Sequence, residues 1–317
     1  MTVRAFFQTP PPDVAIEIDH AHVGAARLEW RSGQAVIAAH AHEALPPGLV
    51  VPSLSVLNLT DVPAVATVVA RVLAQLGQKT SRVALVVPDT VAKVSLLRLE
   101  KVPVKAADLR EIVRWQVRKT APFPIEQAVL SISPGAAAVD GSHELLVSLA
   151  RADVIQQYEQ ACRLAGAHAG LVDIASFSVI NAIVAAPARP TGDWLLVHIT
   201  STYLTLAVIR EQALLFFRHR GEEAEGTLAD LIHQTAMYYE DRLHGGGFGR
   251  VLIAGGARLP GGAESVRRGL EERLRVGVES VDPRPAATLV DRLGATPELL
   301  DLLAPLAGML VRERRVA

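Results

Sequence analysis

Two stretches far apart in this chain share one layout, and that repeat constrains the fold more than any other feature of the sequence. The first runs from Ala15 to Leu28 and the second from Leu196 to Ile209. Each reads as a strand, a tight polar turn and a second strand. A short polar connection follows in both, Arg31-Ser32-Gly33-Gln34 or Arg210-Glu211-Gln212, and then another apolar run, Ala35 to Ala39 or Ala213 to Phe217. A three-strand meander opening each of two halves predicts a duplicated α/β chain.

The length allows it. At 317 residues the chain can form two domains with separate cores, since a domain takes about 100–200 residues. Half the residues are hydrophobic but only 4% are aromatic, so Ala, Val, Leu and Ile must fill cores of the kind found where helices cover sheets. Lys and Arg number 32 against 33 Asp and Glu, a formal charge of −1. That balance gives no field for collecting nucleic-acid phosphates. Cys162 is the single cysteine; it excludes an intrachain disulfide and a Cys-based zinc site, and its apolar helical setting predicts a buried thiol. Met1 to Val14 has no apolar run of signal-peptide length. The longest uncharged stretches, Trp194 to Ile209 and Ile174 to Ala188, fall short of the ~20 residues that cross a bilayer. The expectation is a cytosolic protein without its own membrane anchor.

Periodicity then orders the chain. Asp61 to Leu76 carries Val65, Val68, Val69, Val72 and Leu73 at helical spacing and stops at Gly77; Val83 to Val87 reads as a buried strand ending at Pro88-Asp89. An alternating strand, Val91 to Leu99, and a helix from Ala106 to about Thr120 follow, with Pro122 and Pro124 ending the helix. Strands at Ala128 to Ser133 and Glu144 to Ala150 and a helix at Ala152 to Ala165 complete an expected inserted α+β subdomain, residues 91–165. The expected first domain is 1–90 with 166–187, including Leu171 to Ile174 and a helix from Ser176 to Ala186. A Pro- and Gly-containing link, 187–192, leads to a second domain, 193–317. There a helix is expected at Leu228 to Leu243, a strand at Val251 to Ala254 before Gly255-Gly256, a helix at Gly262 to Leu274, a strand at Val276 to Val281 and a last helix at Pro297 to Val311.

The duplicated meander resembles the build of the actin-like (ribonuclease H-like) ATPase fold. More specifically, Val83 to Asp89, followed by Leu109 to Val117 and Ala121-Pro122-Phe123-Pro124, resembles the type IV pilus assembly protein PilM family. So do Tyr238-Tyr239-Glu240 and Leu252 to Gly261. The resemblance runs over nearly the whole chain, inserted subdomain included. The cytoplasmic domain of the type II secretion protein GspL and the division protein FtsA share this architecture. What the resemblance implies is an adaptor, ring-forming or dimeric, that holds the cytoplasmic tail of a PilN-like single-span inner-membrane protein. It would lie in the cytoplasm, peripheral to that membrane through its partner, and couple the partner to pilus motor components. Two rivals stay open, an actin-like ATPase with a tolerant cleft and a GspL-like secretion component.

In nucleotide-binding relatives the first turn reads Asp-Ile-Gly, with a Lys following. The Asp organises metal and water, and the Gly lets backbone amides approach the phosphates. Here the matching residues are Glu17-Ile18-Asp19, with Gly24 at the Lys position, and the second turn reads His198-Ile199-Thr200. A carboxylate where a triphosphate would sit opposes binding by like-charge repulsion. Gly255-Gly256 is kept. Glu17, Asp19, His198, Thr200, Gly255 and Gly256 are thus the candidate cleft residues, with weak or absent binding of Mg·ATP and no catalytic residue expected. His20/His22 and His40/His42 are each spaced two apart, and a His/carboxylate metal set with His198 is one reading; solvated turn and strand ends are the plainer one. Trp115 and Phe123 are candidates for a partner-binding surface, against the alternative that Phe123 and Ile125 plug the subdomain core. Of Tyr238 and Tyr239, ~100° apart on a helix, one is expected to face inward.

Overall fold

The computed structural model describes residues 12–77, 80–137, 141–188, 190–221, 228–259, 262–290 and 294–312. The N-terminal stretch before Pro12, Arg189 in the expected link, and Pro260-Gly261 lie outside these residues.

The first meander is β1 (Val14–Ile18), β2 (His22–Arg31) and β3 (Gln34–Ala44), followed by α1 (Val62–Gln75) and β4 (Arg82–Val87). Asp61 caps α1 by accepting the Ala64 N–H at 2.9 Å. The inserted unit holds β5 (Ala92–Leu99), α2 (Ala106–Val117), β6 (Ala128–Ala137) and β7 (His143–Arg151); α3 (Ala152–Leu164), β8 (His168–Ile174) and α4 (Ala175–Ala185) come next. The second half repeats the plan with β9 (Asp193–Ile199), β10 (Tyr203–Arg210), β11 (Ala213–Gly221), α5 (Leu228–Leu243), β12 (Arg250–Ala254), α6 (Ala263–Leu274) and β13 (Val278–Ser280), and ends in β14 (Thr288–Leu289) and α7 (Pro297–Arg312).

The duplication is visible in five strands of each sheet. One sheet runs β14-β3-β2-β1-β4-β8 and the other β11-β10-β9-β12-β13, each with an antiparallel meander joined to parallel strands. The two polar turns even share a hydrogen bond, Asp19 N–H to His22 C=O at 3.0 Å and Thr200 N–H to Tyr203 C=O at 2.9 Å. Glu17 therefore corresponds to His198, and each sits opposite its partner on the next strand, Gly24 or Thr205.

Packing corrects the expected domain boundaries. The subdomain sheet is β5-β7-β6, closed by α2 over Val113, Val117, Ile125, Leu145, Val147 and Leu149. Helix α3, expected inside the insertion, instead puts Val154, Tyr158, Ala161 and Cys162 into the core of the first sheet with α1. The insertion is therefore shorter than 91–165. Helix α7 and β14, expected in the second domain, belong to the first sheet: Thr288–Leu289 pair with β3, and Leu303, Leu306 and Leu310 pack on Ala15, Ala26 and Ala84. Conversely, α4 sends Val179 and Ile183 onto the second sheet, against Trp194, Leu196 and Leu252.

The two halves thus exchange their last helices. Small residues allow it. On one face of the first sheet Ala15, Ala26 and Ala84 leave room for α7, while Ile16, Ile18 and Leu85 fill the other. Where α4 crosses α7, a Cβ on Gly308 would lie 1.7 Å from the Ser178 carbonyl oxygen, so the backbones meet without a side chain between them.

Candidate functional site

The two meander turns face each other across the junction of the halves, and the structure brings Glu17, Asp19, His198, Thr200, Gly255 and Gly256 to that junction. Side chains of the two turns meet there. Ser201 Oγ and His20 Nε2 meet at 2.7 Å across it, and His20 Nδ1 lies 2.8 Å from Asp19 Oδ1. With the ring proton on Nδ1, His20 donates to Asp19 and accepts from Ser201, which ties one turn to the other. Burial opposes the charge on Asp19, but the His20 hydrogen bond and the neighbouring His22 outweigh it and hold the carboxyl below its ordinary value.

A second tie runs beside the first. Arg258, in the turn after β12, reaches His22 Nδ1 at 3.1 Å, and the His22 ring lies 3.5 Å from carboxylate oxygens of both Glu17 and Asp19. Among the described residues no group of His, Cys, Asp and Glu is arranged to hold a metal ion.

Beneath the turns lies a buried polar cluster that sequence reading missed. Asp89, fully buried after β4, accepts the Ser176 N–H at 2.9 Å, the Ser176 hydroxyl, and the Thr205 hydroxyl at 2.5 Å. Ser176 also contacts His198 Nδ1 at 2.8 Å. One carboxylate thus joins β4, the start of α4 and the second meander. In the sequence it stood as an acid two residues past an apolar strand, at the end of the Val83 to Asp89 segment. Asp301 of α7 does the equivalent work on the other side by accepting the Ala257 N–H at 2.7 Å. Burial raises its carboxyl above the usual value against the pull of the Ala257 and Gly255 N–H groups.

The kept glycines have a local cause. Gly255 has φ +80°, and a Cβ there would lie 2.0 Å from the Ile199 carbonyl oxygen; at Gly256 it would lie 2.8 Å from the Ala263 Cβ. Chain crossing at the end of β9 requires glycine whether or not a nucleotide binds.

An open groove lies elsewhere in the fold. A groove of about 640 Å³ separates the inserted subdomain from the body. Val129, Ser131 and Ser133 of β6 and Leu146 and Ser148 of β7 form one wall, on the face of the subdomain sheet away from α2. Val172 of β8, Phe177 and Ile180 of α4, and Ala213 and Leu214 of β11 form the other. At one end Arg312 pairs with Asp173, whose carboxyl is raised by burial despite that partner. Strand β6 is an edge of its sheet, with backbone groups available to an added strand.

Of the residues expected at a partner surface, neither lines this groove. Phe123 packs against the subdomain core and Trp115 stands out from α2, 72% exposed. Tyr239 is buried and its neighbour Tyr238 exposed, and the Cys162 thiol is buried. No helix among the described residues is long and apolar enough to cross a membrane.

No curated protein sequence matches the chain. Among solved structures, a PilM-PilN type IV pilus biogenesis complex matches with TM-score 0.81 at 17% identity, covering 96% of this chain and 99% of that one. A Bacteroides thetaiotaomicron protein of unknown function with an actin-like ATPase fold matches with TM-score 0.50 at 9% identity, covering 92% and 94%. The cytoplasmic domain of EpsL, an inner-membrane component of the Vibrio cholerae type II secretion system, gives TM-score 0.45 at 10% identity, covering 76% and 81%. The PilM-PilN and Bacteroides matches make the fold actin-like. The family model for type IV pilus assembly protein PilM matches residues 15–241, well over half the chain, and the chain belongs to that family.

Proposed function

We propose that this protein is a cytoplasmic adaptor of type IV pilus assembly that receives the cytoplasmic tail of a PilN-like single-span inner-membrane protein in the groove beside its inserted subdomain. The observation that carries this reading is the groove itself, which is open and lined by apolar and hydroxyl groups along an edge strand. An extended peptide gains affinity there from main-chain hydrogen bonds and specificity from a few apolar pockets. The solved PilM-PilN complex, of the same fold and nearly the same extent, supports the choice of partner. Held this way, the protein lies against the inner membrane through its partner and links it to motor components.

The interdomain junction does not act as a nucleotide site in this proposal. The turns that would flank a triphosphate are tied to one another by His20 and Ser201, and Asp19 adds a carboxylate where phosphate would lie. The rival ATPase reading rests on Gly255-Gly256, whose glycines the chain crossing already requires.

Titration of a synthetic tail peptide from the PilN-like partner tests the groove. Ser148→Trp, which fills it, is expected to weaken binding at least ~10-fold, as loss of a central contact does. Undiminished binding by both Ser148→Trp and Phe177→Ala proteins would remove the site from the groove.

A further inference from the structure

Between Glu43 and Asp61 the chain carries no charged side chain, and the stretch is rich in Leu, Val and Pro. Its tip, residues 51–57, is a tight loop. The bridge between Val50 and Leu59 and the Val51 N–H bond to the Asn58 carbonyl at 2.8 Å hold the two arms together, which brings Val51 close to Leu57. Val51, Val56 and Leu57 are each more than half exposed, the densest run of exposed aliphatic side chains among the described residues. Grouped exposure of this kind, unlike single apolar residues scattered over a surface, marks an interaction site.

What lies beneath is polar. The Asn58 side chain, fully buried, donates to the Ser53 carbonyl at 2.9 Å and the Val56 carbonyl at 2.7 Å, and accepts from the Tyr158 hydroxyl at 3.0 Å. Gln157 of α3 accepts the Asn58 and Leu59 N–H groups at 2.7 and 3.2 Å and donates to the Leu59 carbonyl at 2.9 Å. Arg151 donates to the Ser55 carbonyl, and the Thr60 N–H to the Leu49 carbonyl at 3.1 Å. The loop is inside out compared with an ordinary surface loop: buried polar side chains satisfy its backbone, and its apolar side chains face outward. Internal satisfaction of this kind is what a medium without hydrogen-bonding partners demands. Of the charged residues that flank or touch the loop, Glu43 pairs with Arg71, Arg151 pairs with Asp153, and Asp61 caps α1.

We infer that the 51–57 loop is a lipid-contact element, which inserts Val51, Val56 and Leu57 into the interfacial layer of a phospholipid bilayer while the folded body stays outside it. A protein interface uses about one hydrogen bond per 100–200 Å², and this loop has turned much of its own hydrogen-bonding capacity inward. With the surrounding charges paired, the contact rests on hydrocarbon burial and not on anionic headgroups. It is weak by itself. The three aliphatic side chains carry less hydrocarbon than a myristoyl chain, whose membrane binding constant is ~10⁴ M⁻¹. A membrane-tethered partner that holds the protein at the surface supplies the effective concentration that makes such a contact count, and the loop then fixes which side of the body faces the bilayer. The inference stands independently of which peptide fills the groove.

Flotation of the full chain with millimolar vesicles, of phosphatidylcholine alone or mixed with phosphatidylglycerol, tests it. Wild type is expected to bind both, to within about 3-fold. Leu57→Asp and Val56→Asp are each expected to lower the partition at least ~10-fold, because a carboxylate must enter the interface, and Val56→Trp to raise it about 3–10-fold, because tryptophan favours that layer. Both positions are exposed, so unchanged circular dichroism and melting will show that folding is intact. A solvent-sensitive fluorophore attached at Val56→Cys, with the native Cys162 buried, is expected to shift to the blue when vesicles are added, and one attached at Trp115→Cys is not. Protein that floats with neither vesicle overturns the inference. So does flotation indifferent to Leu57→Asp, flotation confined to phosphatidylglycerol, or a blue shift at Trp115→Cys without one at Val56→Cys. Weaker binding of the PilN-like tail peptide by the Leu57→Asp protein, with no vesicle binding by wild type, would assign the loop to a protein contact and equally refute the lipid one.

Discussion

His20 and Ser201 occupy the same place in the two meanders, 181 residues apart, and their side chains meet at 2.7 Å where the halves join. The contact joins the two equivalent turns of the duplication. We expect calorimetry with Mg·ATP to detect no binding up to millimolar nucleotide. Micromolar affinity would show that the turns separate and that Asp19 is no obstacle.

The buried Asp89 carboxylate satisfies three donors from two parts of the fold. Asp89→Ala leaves the Ser176 and Thr205 groups without an acceptor in a dry site, and we expect a loss of about 3 kcal/mol. Asp89→Asn, which keeps one acceptor oxygen, should lose less. Guanidinium unfolding midpoints at constant slope will measure both.

Two helical glycines should respond in opposite directions. At Gly308 a methyl would meet the Ser178 backbone, and Gly308→Ala is expected to cost about 2 kcal/mol or more by forcing α4 and α7 apart. At Gly269 of α6 the nearest atom to such a methyl is the tip of the Arg273 side chain at 3.7 Å. Gly269→Ala is expected to stabilise by about 0.5–1 kcal/mol through helix propensity. Thermal melts of the pair separate close helix crossing from a general intolerance of change.

Asp193, at the start of β9, accepts two hydrogen bonds from Arg210 and one from the Tyr239 hydroxyl, each at 2.7 Å. The Arg210 bonds hold its carboxyl below the ordinary value of 3.8 against the opposing effect of burial. A depressed carboxylate stabilises the fold fully above its unfolded pKa, and that contribution disappears as pH falls through the lower folded value. Stability should therefore decline below about pH 4, where the unfolded chain takes up the proton first. Asp193→Asn should flatten that part of the pH profile. Because Arg210 is partly exposed, it should remove only about 1 kcal/mol at neutral pH.

The sequence by itself determined the local elements and the duplication. Apolar spacing placed α1, α5 and α7, and the repeat placed the three-strand meander that opens each half, because these patterns depend on neighbours a few residues away. It also placed Glu17 opposite His198 in the repeat. Tertiary structure decided what each buried face is buried against. Spacing in α3, α4 and α7 shows that a face is apolar without saying whose core receives it, so the helix exchange between halves and the true extent of the insertion were not legible. Gly308 reads in sequence as a weak point in a helix, and only the crossing with α4 shows that it is required. The groove residues Ser131, Ser133 and Ser148 carry no motif; they became a site because β6 and β7 fold to face α4. Asp89 likewise looked like a strand end until the two halves closed over it, since a buried carboxylate is recognised by the donors that converge on it from distant parts of the chain.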